Sequence, residues 1–435
     1  MMRSMFSGVS GLRTHQTRMD VIGNNIANVN TVGFKSGRVT FQEVFSQTLK
    51  GSGAPDSASG RAGTNPMQVG LGVGISAIDT IMTRGSSQRT DNPTDMMIEG
   101  DGFFILKGSK TDTYKFTRAG NFGIDEIGNL NLNGYGVCGW EPEYDATTNQ
   151  FKFDTNKQAQ PLNLYRDYQT GQNKMILGAE KTSKAYLGGN LDSATAINGS
   201  FTVPMMIYDA LGNEYKMNLK FTKTAAAAGT TTWTMAPDAN ILDAKGNPVG
   251  TVPTTATTLT FDGSGNITGA ATATINVTPA ATTGAAVFPV EIDMKSLTMY
   301  ANDNSVKPTD VNGYPPGNLV TFNVGTDGII SGIYSNGQQR PLGMVALAVF
   351  PNPGGMTKVG ENMFIPSTNS GEFTKGVKPG SDGSGPLNPG TLEMSNVDLS
   401  KEFTDMIVTQ RGFQANSRII TASDEMLQEL VNLKR

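Results

Sequence analysis

Apolar residues recur every seven positions at the amino-terminal end of the chain. The residues of this repeat are Met5, Leu12, Met19 and Ile26, with Met2 and Val9 on the neighbouring positions. A seven-residue repeat places apolar side chains along one face of an α-helix, as in a coiled coil. The pattern therefore predicts an amino-terminal helix with one apolar face.

The carboxyl-terminal end carries a second repeat of the same period. Its residues are Leu399, Met406, Phe413, Ile420 and Leu427, with Phe403 and Val431 at the second apolar position. Between those two residues the second position is polar. Ser395 or Asn396 is a candidate N-cap, because a short side-chain oxygen can accept hydrogen bonds from the amides of the first turn. The repeat predicts a carboxyl-terminal helix.

Each apolar face has two explanations. An amphipathic helix usually packs on the core of its own domain. Here segments rich in glycine, serine and proline, at 51–66 and 380–390, separate both helices from the middle of the chain. Because such segments form flexible tethers, the helices are expected to pair with each other or with another molecule. The candidate self-assembly residues are therefore the four strict positions of the first repeat and the seven residues of the second.

The region between the repeats alternates apolar and polar residues in short segments, which is typical of β-strands. Residues 201–206 and 217–221 predict one hairpin, and residues 319–324 and 329–334 predict another. From about Thr222 to Ala286 the sequence is dominated by threonine, alanine and glycine, with few large apolar residues. This composition predicts a peripheral, solvent-facing β domain inserted into a better-packed one.

The predicted fold class is thus mainly β with α-helical termini. Coiled-coil-like terminal helices accompany two β-rich domains, of which the outer one is inserted into the inner one. The predicted divisions are an amino-terminal helix 1–35, a linker region 36–70, an inner β domain 71–140 and 303–378, an inserted outer β domain 141–302, a linker 379–394 and a carboxyl-terminal helix 395–435.

A five-residue turn pattern, Asp-x-x-Gly-Asn, begins at Asp125, Asp209, Asp243 and Asp262. Aspartate at the first position can accept hydrogen bonds from backbone amides, and glycine three residues later can take a positive φ. Each copy therefore predicts a hairpin closed by a type I turn with a bulge. A calcium loop is the alternative, but the alternate carboxylates and the distal bidentate glutamate of such loops are missing.

Composition removes most catalytic and metal sites. The chain has one cysteine, Cys138, and one histidine, His15, which excludes an internal disulfide and a site with several thiolates. Cys138 lies in a strand-like segment, so a buried structural thiol is favoured over a reactive one. His15 is expected at an interface or on the surface. The glycine-rich run 70–74 lacks the third glycine of a dinucleotide fingerprint. We therefore expect no enzyme activity, cofactor or metal.

The charge and hydropathy of the chain argue against a nucleic-acid partner and against insertion into a membrane. Lys plus Arg total 34 and Asp plus Glu total 38, which gives a formal net charge of −4 and no basic footprint for nucleic acid. No apolar run reaches the ~18 residues of a membrane span, so membrane insertion is not expected. Charged residues interrupt the first turns of the chain, which therefore lack the apolar core of a cleaved signal peptide.

Several motifs closely resemble those of the bacterial flagellar rod and hook family. At the two ends they are SGVSGL at 7–12, IGNNIANVNTVGFK at 22–35, EMSNVDLSKE at 393–402 and MIVTQR at 406–411. Within the β region they are EGDGFF at 99–104, FTRAGNF at 116–122, NGY at 312–314 and SNGQ at 335–338. The resemblance is weak from about Glu141 to Asn302. A chain of this length with a large inserted domain resembles the hook subunits of the family.

The resemblance implies a structural subunit that polymerises into a curved, flexible tube. Its terminal helices would line the core of the tube, with the inserted domain outermost. Such a tube is a universal joint that passes motor torque from the rod to the filament. The implied partners are further copies of the chain, the distal rod protein, the hook cap, the hook–filament junction proteins and the flagellar type III export machinery. The implied location is the extracellular flagellum, reached without a cleaved signal peptide.

Three alternatives stay open at this point. A distal rod protein of the same family is expected to be shorter and to lack the inserted domain. A hook–filament junction protein would share the terminal repeats but not the match through the inner β domain. A secreted β-rich adhesin or glycan-active protein would need a site in the inserted domain, such as a cleft with paired carboxylates.

Overall fold

The structure of the chain is a computed structural model that describes residues 2–55, 60, 62–108, 113–145, 150–167, 171–227, 229–269 and 271–433. Over these residues the chain is mainly β, with one long α-helix at each end. The first helix, α1, spans Met2–Ala27, and the second, α2, spans Leu399–Asn432. The fold class predicted from the sequence is confirmed. Neither helix is long and apolar enough to cross a membrane.

The strands between the helices are short and mostly antiparallel. The first half of the chain contains Gly37–Glu43, Ser46–Lys50, Met67–Gly70, Val73–Thr80, Ser87–Arg89, Met96–Ile98, Phe103–Lys107, Lys115–Thr117, Gly123–Ile124, Leu130–Leu132, Tyr135–Trp140, Glu143–Asp145, Gln150–Lys152, Gln160–Pro161, Ile176–Leu177, Lys184–Asn190 and Ser200–Tyr208. The second half contains Glu214–Ala227, Thr230–Pro237, Asn240–Leu242, Pro248–Thr251, Thr257–Asp262, Thr272–Pro279, Phe288–Thr298, Lys307–Val311, Gly317–Val324, Ile329–Tyr334, Gln339–Val345, Leu347–Ala348, Thr357–Gly360, Met363–Ile365, Leu387–Pro389 and Thr391–Glu393. Two short 3₁₀ helices span Ala281–Thr283 and Pro353–Gly355.

The chain divides into two compact units, each with its own core. Unit 1 comprises Met1–Gly171, Asn323–Ser331 and Pro341–Arg435, and unit 2 comprises Gln172–Phe322 and Gly332–Arg340. Unit 2 is therefore inserted into the sequence of unit 1. The domain divisions drawn from composition, including an insert at 141–302, stay a prediction.

The β part of unit 1 is built on the antiparallel strands Phe103–Lys107, Lys115–Thr117 and Tyr135–Trp140. Their inward side chains pack with Phe350 and Phe364 in one aromatic core. The Cys138 thiol is fully buried there, and burial raises its pKa to about 12. The thiol is therefore buried and protonated at neutral pH, as expected of the structural thiol that the sequence favours.

Unit 2 is organised around the hairpin predicted at 201–221. Strand Ser200–Tyr208 pairs with Glu214–Ala227, with Phe201 opposite Phe221. Alternate residues of these strands are buried, as a sheet with one solvated face requires. The stretch rich in threonine, alanine and glycine contributes to the core of unit 2, and the peripheral position predicted for it stays a prediction. Several of its large residues occupy inward positions and are buried, among them Trp233, Met235, Leu259, Phe261, Ile275 and Val277.

The four Asp-x-x-Gly-Asn segments form the predicted turn. In each, the glycine amide donates to the aspartate carbonyl, and the aspartate amide donates to the asparagine carbonyl. The aspartate Oδ1 accepts from the amides of the third and fifth residues. The four glycines take φ values from 82° to 95°, which only glycine adopts easily. The aspartate oxygens are thus used by the turn itself.

The segment 380–390, predicted as a flexible tether, contains a paired strand, and the described residues of the other such segment, 51–66, lie between the paired strands Ser46–Lys50 and Met67–Gly70. Leu387–Pro389 pairs with Met96–Ile98, and Thr391–Glu393 pairs with Ser87–Arg89, so 379–394 is folded against unit 1. The region 36–70 contains three strands, although residues 56–59 and 61 lie outside the described residues. The glycines and prolines of these segments shape turns, a role that composition does not distinguish from flexibility. The N-cap of α2 is Asp398, which accepts from the amides of Ser400 and Lys401.

We expect Asp209→Ala to lower the free energy of unfolding of unit 2 by about 1–3 kcal/mol, because buried donors lose their acceptor. Asp209 is fully buried and also accepts from the Tyr215 hydroxyl at 2.8 Å. Asp243→Ala removes the equivalent side-chain hydrogen bonds at a less buried position and should cost much less. Urea unfolding followed by the fluorescence of the buried Trp233 compares the two variants. Equal losses would contradict this explanation.

The stability difference between the wild-type chain and the Asp209→Ala variant should depend on pH. Burial opposes ionisation of Asp209, but hydrogen bonds from Asn213, Tyr215 and the turn amides outweigh it and lower its pKa. A lowered pKa contributes stability at neutral pH that is lost as the pH falls through the folded-state value. The difference between the wild-type chain and Asp209→Ala should therefore narrow in acid.

Candidate assembly surface

The two terminal helices pack against each other in an antiparallel pair. Near the start of α1, Gly8 lies beside Ile420 of α2. Further along, His15 lies beside Gly412, and Asn25 near the end of α1 bonds to Glu402. The residue numbers thus rise on one helix as they fall on the other. We call this contact the helix seam.

Glycines let the helices approach closely along the helix seam. A Cβ atom placed on Gly11 would lie 2.6 Å from Asn416 Nδ2, and one on Gly412 would lie 2.8 Å from the His15 ring. The fully buried residues of α2 in its described part are the small Thr409 and Ser423. Their hydroxyls donate to carbonyls one turn earlier on the same helix, which satisfies them without a partner helix.

Two polar contacts cross the helix seam near the base of the pair. Arg18 Nη2 lies 2.9 Å from Asp405 Oδ1, and both side chains are partly exposed. Asn25 Nδ2 donates to Glu402 Oε1 at 3.2 Å. Partly exposed ion pairs add little stability, typically below about 1 kcal/mol. These contacts therefore determine how the two helices are aligned and contribute little to the stability of the pair.

The predicted self-assembly residues mostly flank the helix seam. Ile420 touches Gly8 and so belongs to it. In the single chain the half-buried ones are Met5, Leu12, Met19, Ile26, Met406, Ile420 and Leu427, and the exposed ones are Leu399, Phe403, Phe413 and Val431. None is fully buried. Sequence reasoning missed the glycines of the seam, although small residues three to four positions apart are a signal for close helix packing. A role of these eleven residues in assembly stays a prediction.

A further set of apolar residues on α2 is exposed. Its members share one face at intervals of eleven, seven, four and three residues, the last of them at the C-cap just after the helix, and we call them the outer stripe: Val408, Ile419, Met426, Leu430 and Leu433. On α1 the exposed residues Met2, Phe6 and Val9 also share one face. Contiguous exposed apolar surface on a protein marks an interaction site.

A buried ion cluster ties the ends of the two helices to the β part of unit 1. Lys35 Nζ lies 2.6 Å from Glu393 Oε1, and both side chains are almost fully buried. Lys35 Nζ also donates to the Thr83 carbonyl, and the Gly85 amide donates to Glu393 Oε1. Arg118 Nη1 lies 3.6 Å from Glu393 Oε2. Desolvation lowers the pKa of Lys35, against the opposing effect of Glu393.

Two asparagines complete this connection. The Asn25 side chain makes two hydrogen bonds to the backbone of Gly37. Its Nδ2 donates to the Gly37 carbonyl at 2.8 Å, and its Oδ1 accepts from the Gly37 amide at 2.9 Å. Asn396 accepts from the Ser36 amide and donates to the Ile81 carbonyl, each at 2.8 Å. Asn396, a candidate N-cap in the sequence, is therefore used to join the start of α2 to the segment after α1. The terminal motifs at 22–35 and 393–402 meet at this point.

A β-rich chain whose terminal helices pair, and which exposes apolar stripes on that pair, belongs to the class of structural assembly proteins. The family described as "Flagella basal body rod protein" matches residues 5–35. The families described as "Flagellar basal body protein FlaE D2 domain" and "Flagellar basal body rod FlgEFG protein C-terminal" match residues 177–314 and 388–433.

Relatives of known name define the family more closely. The chain is 39% identical to the flagellar hook protein FlgE of Borreliella burgdorferi and 38% identical to that of Treponema pallidum, over 100% of both chains in each case. The crystal structure of Helicobacter pylori flagellar hook protein FlgE2 shares the fold, with a TM-score of 0.50 and 14% identity over 69% of this chain and 99% of that one. The chain belongs to the flagellar hook protein family. It is a structural component of the external part of the flagellum.

Replacement of Glu393 with alanine should lower the free energy of unfolding of unit 1 by about 3–5 kcal/mol, because Lys35 and Arg118 would keep buried charges without their carboxylate. Glu126→Ala changes an exposed glutamate of the same unit and should have little effect. Urea unfolding followed by circular dichroism measures both variants. A cost for Glu393→Ala as small as that of the control would contradict the assigned role.

Gly412→Ala should destabilise the helix pair by about 1–3 kcal/mol, because the new methyl group meets the His15 ring. Gly23→Ala is the matched control, since a Cβ there has no neighbour within 4 Å. The control should be neutral or stabilising by up to about 1 kcal/mol, as alanine favours a helix. Thermal melting at 222 nm reports on both. The explanation fails if the two variants melt alike.

Proposed function

We propose that this chain polymerises through α1 and α2 into the hook, a curved and flexible tube that acts as a universal joint between rod and filament. The observation that carries the proposal is the outer stripe, whose five large apolar residues are exposed along a long helix and its C-cap. Further copies of the chain would cover it. The predicted self-assembly residues would lie beside it in the same interface.

The lengths of the helices support this proposal. Gly8 lies beside Ile420, and α1 starts six residues before Gly8, at Met2. In an antiparallel pair the start of α1 therefore lies opposite about Met426, six residues after Ile420. α2 continues to Asn432, roughly 9 Å further at 1.5 Å per residue. This overhang carries Leu430 and Val431, which α1 of the same chain does not reach. A neighbouring copy is the proposed cover.

Burial of the outer stripe provides enough free energy for firm contacts. A large apolar side chain contributes about 1.5–3 kcal/mol when it is fully buried, before the entropy of association is subtracted. A universal joint also needs contacts that slide as the tube turns. The β-rich parts of the two units suit this role because the chain as a whole has few charged residues, 17% of the total. Neutral polar contacts exchange with water at little net cost.

The proposal extends to the partners and the route of export. The distal rod protein would meet one end of the tube, and the hook cap and the hook–filament junction proteins would meet the other. Export would use the flagellar type III machinery without a cleaved signal peptide. The insert predicted at 141–302 contains neither repeat, so we assign it no essential part in tube formation. We assign the chain no catalytic residue, cofactor or metal, and no nucleic-acid partner.

Ile419→Asp should abolish tube formation while the helical signal at 222 nm is retained, because it places a charge in the proposed interface but not in the helix seam. Met426→Asp should act in the same way. Leu211→Asp is the control, since it introduces the same charge at an exposed apolar residue of unit 2. Sedimentation and electron microscopy score the tubes.

Tubes from both α2 variants at the wild-type level would contradict the proposal. A loss of tubes in the Leu211→Asp variant would show that assembly depends on unit 2 as well, against the assignment of firm contacts to the helices. Circular dichroism identifies any variant whose helices have unfolded.

A further inference from the structure

His15, the single histidine of the sequence, lies inside the helix seam. Its imidazole rests against the backbone of Gly412, where a Cβ atom would lie 2.8 Å from both Cε1 and Nε2. On the other side the ring meets Phe41 of strand Gly37–Glu43 at a centroid distance of 5.7 Å and an angle of 85°. The imidazole is thus held between α2 and a strand of the same unit.

The His15 ring has one buried nitrogen, Nδ1, whose surroundings suit only the neutral imidazole. His15 Nδ1 is closed off from solvent and has no hydrogen-bond partner among the described residues. A neutral imidazole can leave Nδ1 as a weak acceptor, whereas an imidazolium carries an N–H donor on both nitrogens. Protonation would therefore place a buried donor at Nδ1 without an acceptor, which is costly.

The charged groups around His15 do not compensate an imidazolium. Arg18, one turn further along α1, carries a positive charge, and its guanidinium already faces the Phe41 ring at 5.9 Å. On α2, Arg411 adjoins Gly412. The carboxylates on the packed elements are engaged elsewhere: Asp405 with Arg18, Glu402 with Asn25, Asp79 with Arg38, and Glu43 with Ser46. Desolvation, and then Arg18, lower the pKa of His15.

We propose that His15 is a pH-sensitive latch of the helix seam: the neutral ring fits between Gly412 and Phe41, and the protonated ring opens the pair. The effect on the seam stands on this geometry alone. The effect on tubes rests on the proposed function, because an opened pair misplaces the outer stripe.

The direction of the pH effect follows from linkage. The folded-state pKa lies below the ordinary value of 6.5, so the unfolded seam binds a proton more readily than the folded one. The contribution of His15 is complete above pH 6.5. It is lost as the pH falls from 6.5 through the lower folded-state value.

The wild-type chain tests the latch without any substitution. Because it has one histidine, its imidazole Cε1–H resonance gives the titration midpoint directly. Between pH 7.5 and 5.0 we expect a midpoint below 6.5, together with loss of helical signal at 222 nm. A midpoint at or above 6.5, or full helical signal after the titration is complete, would overturn the proposal.

His15→Gln is the matched variant, because glutamine is polar and neutral at every pH in this range. It should abolish the acid-dependent loss of helical signal, and an unchanged loss in this variant would sink the idea. A sedimentation assay of wild-type tubes at pH 7.5 and 5.5 is scored separately. If the seam titrates as expected but the tubes are unaffected, the latch is retained for the seam and the helix-based proposed function fails.

Discussion

The buried ion pair between Lys35 and Glu393 joins residues that are 358 positions apart in the sequence. A buried pair of charges is weak evidence for net stability, because desolvation offsets much of its attraction. Its effect here is selective. Lys35 and Glu393 are both satisfied only when the segment after α1 and the segment before α2 adopt one arrangement, and every arrangement that separates them leaves a charge buried alone. The positions of both terminal helices depend on this constraint.

The ion pair fixes the end of α1 and the start of α2. Beyond that point the two helices pack through glycines, hydroxyl groups and amide side chains. This arrangement leaves the outer stripe outside the contact within the chain, although Ile420 lies in that contact beside Gly8. Val408, Ile419 and Leu430 remain exposed as a result. If leucine or phenylalanine filled the helix seam, the pair would be more stable alone and would have less apolar surface for neighbours. The small-residue seam and the outer stripe are therefore two consequences of one distribution of side chains.

The parts of the fold that depend on local patterns could be predicted from the sequence. Alternation with a period of two gave the hairpin at 201–221, and Asp-x-x-Gly-Asn contains within five residues every group that its turn uses. The helix seam and the buried ion cluster could not be predicted in this way. Lys35 and Glu393 resemble surface residues until a distant partner is known, and the glycines at 380–390 read as a tether because composition does not reveal that Leu387–Pro389 pairs with Met96–Ile98. The prediction of Asn396 as the N-cap of α2 is wrong because its side-chain oxygen accepts a hydrogen bond from the Ser36 amide instead.

The two units and the helix pair differ in how completely they are stabilised within one chain. The unit 2 core buries large residues such as Trp233 and Phe221 fully, whereas the fully buried residues of α2 in its described part are a threonine and a serine. A helix gains most of its stability from packing an apolar face, so α2 in a single chain lacks much of that contribution. Contacts from neighbouring copies would supply it. On this argument the ordering of the helical ends and the growth of the tube are one coupled process, and the β units stay folded through it.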